Sequence, residues 1–312
     1  MIKRLVAGFV AFWLFTVALT SNGPAMLLPP FFLDGVVALG SEQSSPPVGQ
    51  QPPRKEWQTT GTAFFYGYAI DDNPDLSKRQ YEIFLVTAKH VVEILAKSNR
   101  NISARLNPTD STASSKQFEI PSSAWFYHPD NSVDIALLPT NPTFLRTHGL
   151  EPFFFANDQH SANRKDIGEL QISAGDGVFV LGFPMGLSGQ QRNYVIVRQG
   201  AIARISEMLD GVAPSFIIDA QVYPGNSGGP VILKPEIASI DGTKNQPRAL
   251  LVGIVRSYLP YTDVAVSRQT GQTRIIFQEN SGLAEVLPID FINEAIATWR
   301  IKKQTPPLAA PK

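Results

Sequence analysis

The stretch Gly225-Asn226-Ser227-Gly228-Gly229-Pro230 decides how this chain is read. Ser227 stands between glycines, uncrowded by neighbouring side chains. A serine hydroxyl is a poor nucleophile alone. It needs a nearby base and a set of donors for the charge that develops on the attacked carbonyl. Glycine reaches backbone conformations closed to other residues. Those conformations let the N–H groups of Gly225 and Ser227 point into one small space, which is an oxyanion hole in outline.

The same residues contain Gly-x-Ser-x-Gly, the nucleophile elbow of α/β-hydrolases, where the chain order is Ser, acid, His. The chain has four histidines, His90, His128, His148 and His160, and all precede Ser227. No base follows the serine, so the elbow reading fails. A subtilisin order puts the acid before the histidine. The acids available there, Asp71, Asp72 and Asp75, sit in a polar run that reads as a turn. The order His, Asp, Ser remains.

His90 ends the run Tyr81-Glu82-Ile83-Phe84-Leu85-Val86-Thr87-Ala88-Lys89-His90. The first part is rich in β-branched and aromatic residues and reads as a strand. Val91 to Lys97 reads as a short helix. A histidine at that junction is held by rigid elements and still faces a cleft. His128 and His148 lie beside turn residues and His160 in a polar run, so each reads as a surface residue. Asp134 opens the apolar run Ile135-Ala136-Leu137-Leu138. A carboxylate there is costly to bury unless paired, and orienting a histidine supplies the pairing. Asp130, in Pro129-Asp130-Asn131, suits a turn better.

Thr87-Ala88-Lys89-His90, Asp134-Ile135-Ala136-Leu137 and Gly225 to Pro230 resemble the three catalytic blocks of trypsin-like serine proteases, and most closely those of the bacterial HtrA/Deg-type branch. Val178 to Gly186, with its Gly-x-Pro-x-Gly ending, Leu251 to Val255, and Ser281 to Ile289 resemble further strands of that branch. The likeness spans about residues 57 to 300. It implies an all-β fold of two six-stranded antiparallel barrels with a C-terminal α-helix. It also implies a serine endopeptidase acting on protein or peptide substrates through an acyl-enzyme, with catalytic His90, Asp134 and Ser227, an oxyanion hole from Gly225 and Ser227, and no cofactor. By the same likeness Gln221 forms the pocket floor, and Val255, Arg256 and Ser257 line the substrate cleft. The alternative is a catalytically silent or partner-activated scaffold that acts as a binding protein.

Four departures from the family pattern stand out. Lys89 replaces a small residue before the histidine and places a cation beside the imidazole. Arg256 replaces a small or polar residue and is expected to point outward. Asn226 stands where many secreted trypsins carry the aspartate that pairs with a freed N-terminus, so that activation route does not carry over. HtrA-type proteases usually end in PDZ domains, and the expectation here is a protease domain without one.

The chain has 312 residues with 27 basic and 27 acidic side chains and no cysteine. Balanced charge gives no support for a nucleic-acid partner, which needs clustered cations. The lack of cysteine excludes disulfides and thiolate metal sites, and the histidines show no metal-ligand spacing. Met1-Ile2-Lys3-Arg4 is a basic start, and Leu5 to Leu19 is an apolar run of signal-peptide length. Residues 1–25 are therefore expected to be a signal peptide or a membrane anchor, and the rest extracytoplasmic. Residues 26–56 read as a linker, with Met26 to Leu39 a poor membrane span. The protease domain is expected over 57–301, with barrels at about 57–157 and 168–287 and a helix at 288–301. Short strands with turns between them favour a barrel or sandwich. Pro260 to Thr273 reads as a surface hairpin or loop. Ile289, Ile292, Ala295, Ile296 and Trp299 recur at helical spacing, with Asp290 as the cap. Residues 302–312 are expected to be a disordered tail.

Overall fold

The computed structural model describes residues 27–44, 55–98, 101–236 and 245–304. The segment expected to be a signal peptide or membrane anchor lies outside these residues. The first lobe contains α1 (Phe31–Asp34), β1 (Val36–Ser44), β2 (Lys55–Ala69), β3 (Tyr81–Thr87), α2 (Lys89–Lys97), β4 (Ile102–Leu106), β5 (Lys116–Ile120), β6 (Phe126–Tyr127), β7 (Ala136–Pro139), α3 (Pro142–Thr147) and β8 (Phe155–Ala156). The second contains α4 (Arg164–Glu169), β9 (Gly177–Gly182), β10 (Ile196–Arg204), α5 (Ser206–Leu209), β11 (Phe216–Asp219), β12 (Pro230–Leu233), β13 (Leu250–Val266) and β14 (Thr273–Pro288), and α6 (Asp290–Gln304) is the last element among the described residues.

The second lobe is a closed barrel in the order β10-β11-β14-β13-β12-β9. The first lobe is an eight-stranded sheet in the order β5-β4-β1-β2-β3-β7-β6, with β8 added in parallel to β2. This is the expected all-β, two-barrel architecture with a terminal helix. The barrel of the first lobe is left open, because β5 and β6 at the two ends of its path do not pair.

Three boundaries differ from the sequence reading. Val36–Ser44, assigned to the linker, is a central strand between β2 and β4. Val36 to Leu39 are all at most 5% exposed. A strand covered on both faces shows an unbroken apolar run rather than alternation, so it carries no period to read. α6 runs on to Gln304, and the expected tail therefore loses its first residues to the helix. β13 and β14 pair as far as Val266 and Thr273, which turns the expected surface hairpin into a long ribbon.

One apolar cluster joins the lobes. It includes Phe64, Phe84 and Leu137 of the first lobe, Leu181, Leu251 and Leu287 of the second, and Ile292 and Ile296 of α6. The cleft side of this core is where the three motif blocks meet.

Candidate active site

His90 sits in the first turn of α2, where backbone N–H groups lack helical acceptors. Ala88, the residue at the cap position, has no side chain able to accept. Asp134 supplies the acceptor from another part of the lobe. Its Oδ1 accepts the His90 backbone N–H at 2.8 Å, and its Oδ2 lies 2.6 Å from the His90 Nδ1. A carboxylate is favoured at a helix N-terminus. Burial by itself pushes the Asp134 carboxyl up. The hydrogen bonds and charge of His90, with Arg256 farther off, outweigh burial and hold the carboxyl below its ordinary value. An ionised carboxylate only accepts, so Nδ1 carries the ring proton and Nε2 is left as the base.

Lys89 does not crowd the imidazole. Its ammonium meets Asn131 Oδ1 at 3.2 Å and Glu93 at 3.9 Å, over the Tyr127 ring. Asp130 binds its own turn, accepting from the Ser132 backbone and hydroxyl. The structure thus brings Asp134, and not Asp130, to His90.

The serine block is two successive turns. Asn226 N–H donates to Tyr223 O at 2.9 Å, and Gly229 N–H to Asn226 O at 2.8 Å. Gly225 (φ +100°) and Gly228 (φ +81°) fill the third positions of these turns. With Pro224 at the second position of the first, the pattern is that of type II turns. A Cβ on Gly225 would lie 2.2 Å from Phe183 O, and one on Gly228 2.2 Å from both Thr62 O and Thr87 Oγ1. Among the described residues the N–H groups of Gly225 and Ser227 donate to no protein acceptor. Both N–H groups are the ones that the sequence reading assigns to the oxyanion hole. Asn226 is fully buried, and its Oδ1 accepts the Tyr223 N–H. The side chain at this position therefore closes its own turn.

Thr62 on β2 is a site residue that nothing in the sequence singles out. Its N–H donates to Ser227 O at 2.9 Å. Its hydroxyl donates to Gly225 O at 2.6 Å and accepts from Phe183 N–H at 3.2 Å. Its carbonyl accepts from Thr87 Oγ1 at 2.7 Å. Thr62 thereby holds the serine turn against the strand that leads to His90. A threonine in a strand carries no signal of such a role. Two further contacts brace the turn. Met185, held at φ +56°, donates its N–H to Pro224 O at 2.7 Å, and such a conformation is uncommon outside glycine. The buried Arg105 donates to Gly189 O and Gln190 O and fixes the far end of the same loop.

The Ser227 hydroxyl donates to Arg256 O at 3.4 Å. A bond that long is weak, so turning the hydroxyl toward His90 costs little. Catalytic hydrogen bonds are often loose before substrate binds.

The expected cleft residues occupy different situations. Gln221 is exposed and accepts from Tyr223 OH at 3.1 Å. Its amide nitrogen stands 3.6 Å from where a Cβ on Gly282 would be. It is therefore an open wall opposite a glycine rather than a buried floor. Val255 is fully buried in the barrel interior, and its N–H and carbonyl pair with Gly229 and Gly228. Its side chain is thus a core residue and not a cleft contact, because the strand turns that face inward. Arg256 occupies a bulge in β13 and pairs with Glu285 Oε1 at 3.0 Å. Glu285 also accepts from Ser215. Arg256 accordingly lies across the neighbouring strand, neither free in solvent nor alone in a pocket. Ser257 is half-buried just beyond it.

Among the described residues no cluster of histidines and acids could hold a metal ion. No helix among them is long and apolar enough to cross a membrane. A family model described as trypsin-like peptidase domain matches residues 61–235, which contain His90, Asp134 and Ser227. No individual curated protein matches the chain.

Proposed function

The chain belongs to the trypsin-like peptidase family, and from that premise we propose that it is a serine endopeptidase cleaving protein or peptide substrates through an acyl-enzyme. The observation that carries the reading is the double contact of Asp134 with His90 beside a glycine-flanked serine whose turn leaves two N–H groups free. Nε2 of His90 takes the proton from Ser227 Oγ as the hydroxyl attacks the carbonyl carbon. The N–H groups of Gly225 and Ser227 receive the oxyanion. His90 then gives its proton to the leaving amine, and the amide bond breaks to leave an ester on Ser227. Water repeats the sequence to release the acid. Asp134 keeps Nδ1 protonated and stabilises the imidazolium throughout.

The Gly182-Phe183-Pro184-Met185-Gly186 block and the serine block support a place near the bacterial HtrA/Deg-type branch. The basic start and apolar run of Met1–Leu19 support an extracytoplasmic location, with the N-terminal segment cleaved or kept as an anchor. A reporter active only outside the cytoplasm, fused after Pro53, should be on. An intact but silent fusion would refute export.

The decisive test of the activity is labelling by a serine-directed phosphonate together with cleavage of a protein substrate. Both should be present in the native chain and absent in Ser227→Ala, which should keep its unfolding temperature. Cleavage retained by a clean Ser227→Ala sample would sink the mechanism. A native chain that neither labels nor cleaves would leave the silent or partner-activated scaffold as the reading.

A further inference from the structure

β13 does not stop at the barrel wall. It is buried up to Val255, then continues through Arg256 to Val266 as one side of a ribbon with β14, exposed from Pro260 onward. Along the barrel its outer edge is paired with β12 and then with Gly228 and Gly229 of the serine block. Past Val255 that edge meets no strand among the described residues, and its first contact is the Ser227 hydroxyl on Arg256 O. An open β edge therefore starts at the nucleophile and runs outward. At about 3.3 Å per residue it extends roughly 35 Å.

The ribbon is also unusual in its surface. Tyr261, Val264, Val266, Ile275, Ile276 and Phe277 are all at least 43% exposed. They lie on both faces, since Val264 pairs with Ile276 while Phe277 pairs with Asp263 in the adjacent rung. Soluble chains seldom leave a contiguous apolar surface and an open edge together without a use for them.

We propose that this ribbon is an extension of the substrate cleft, on which an extended, apolar, β-branched-rich polypeptide segment adds as a strand. The proposal rests on the endopeptidase reading for its orientation. β13 runs away from Ser227, so a segment laid antiparallel on its edge runs toward Ser227 and places residues N-terminal to the scissile bond on the ribbon. Main-chain hydrogen bonds supply affinity in such strand addition, and side-chain surfaces supply selectivity. Leu259 O is held by Ser281 Oγ on the β14 side, so the same peptide turns the Pro260 nitrogen, which carries no N–H, to the open edge. The ladder therefore breaks once between the catalytic end and the apolar outer part. The occupant is a substrate strand because the open edge is continuous with the serine block. A second copy of the chain is the competing occupant.

Binding is measured on full-length Ser227→Ala, so the result does not depend on turnover. The probes are a labelled uncharged Val/Ile/Thr peptide that extends about ten residues N-terminal to the intended scissile bond, and the same peptide cut to about three, a span confined to the barrel end of the edge. The long probe should bind at least about tenfold more tightly. Replacing Tyr261–Glu279 by Asn-Gly should abolish that difference and leave short-probe binding unchanged. Should the shortened chain fail to fold, Val264→Asp with Ile276→Lys keeps an attractive cross-strand pair and should still cut the difference by about threefold or more. Equal affinity for the two probes overturns the proposal, as does a difference that survives both changes. Sedimentation showing a dimer that dissolves on shortening, without length-dependent peptide binding, also overturns it in favour of self-association. Loss of proteolysis in the native chain with length-dependent binding intact would instead refute the hydrolytic reading alone.

Discussion

Asp134 does two jobs with two oxygens, and this fixes what its amide replacement must do. The His90 backbone N–H needs an acceptor, so the amide oxygen of an Asp134→Asn side chain would take it and turn the amide nitrogen toward Nδ1. An amide N–H facing Nδ1 forces that atom to accept, and the ring proton moves to Nε2, where it cannot act as a base. Asp134→Asn should therefore lower kcat by about 10⁴-fold, as in the trypsin template, while Asp130→Asn changes little. The carboxyl of Asp134 is held below its ordinary value in the fold. A depressed carboxyl contributes stability that is fully present above the unfolded value, near pH 4, and that fades as pH falls through the folded value. The stability gap between native chain and Asp134→Asn should thus be largest near neutral pH and shrink below about pH 4. Urea unfolding of both across that range checks it, and a gap that grows on acidification would contradict the sign. Thr62 gives a second test. Thr62→Val keeps the shape but leaves Gly225 O and Phe183 N–H without their shared partner. Stability should fall by about 1–3 kcal/mol, and kcat should fall with it. Thr62→Ser should restore both. A valine variant with native stability and turnover would show that the hydroxyl does not position the serine turn.

Turns and strands carry the site only where their backbones are forced. Gly228 and Gly211 have similar φ values, +81° and +74°, but a Cβ at 228 meets two oxygens at 2.2 Å while one at 211 meets nothing within 4 Å. Gly211→Ala should cost only the left-handed conformational penalty, about 1–2 kcal/mol. Gly228→Ala should cost several times that, because the turn must leave Thr62 and Thr87. Thermal unfolding of the pair separates conformation from crowding, and equal losses would discard the crowding argument. The same contrast explains which elements the sequence disclosed. The serine turn was legible because its chemistry demands glycines at set positions, and β3 and α2 because they end in a change of period at His90. β1 was hidden because burial on both faces erases alternation. The β13–β14 ribbon was read only as a surface hairpin or loop, without its length, since exposure on both faces also leaves no inward side to mark its strands. Thr62 and Arg105 were hidden because their roles lie in backbone contacts across the fold, which no residue type announces.

At the scale of the molecule, α6 ties the two lobes together. It follows β14 of the second lobe but packs on the first. Asn293 Oδ1 accepts from the fully buried Tyr66 hydroxyl at 2.8 Å, and Trp299 stands edge-on to Phe84 with ring centroids 5.1 Å apart. Glu294 lies 3.4 Å from the buried His128, and the Phe291 ring meets that imidazole edge-on. Asp290 does not act as a free cap for its own helix. Its Oδ2 accepts the N–H of Arg164, the first residue of α4. Ile292, Ala295 and Ile296 are fully buried in the cluster that both lobes share. Since one apolar cluster spans both lobes, the lobes should melt together. Ile296→Ala should remove about 2–5 kcal/mol, the range for a buried large-to-small change. The loss should appear as a shift of one cooperative transition, with calorimetric and van't Hoff enthalpies still equal. The motifs need this, because His90 and Asp134 belong to one lobe and Ser227 to the other, and the shared core, together with the Thr62 hydrogen bonds, holds them in register. Two separate transitions, with only the first lobe shifted by Ile296→Ala, would show that the lobes are stable apart and that the active site is assembled by something other than this core.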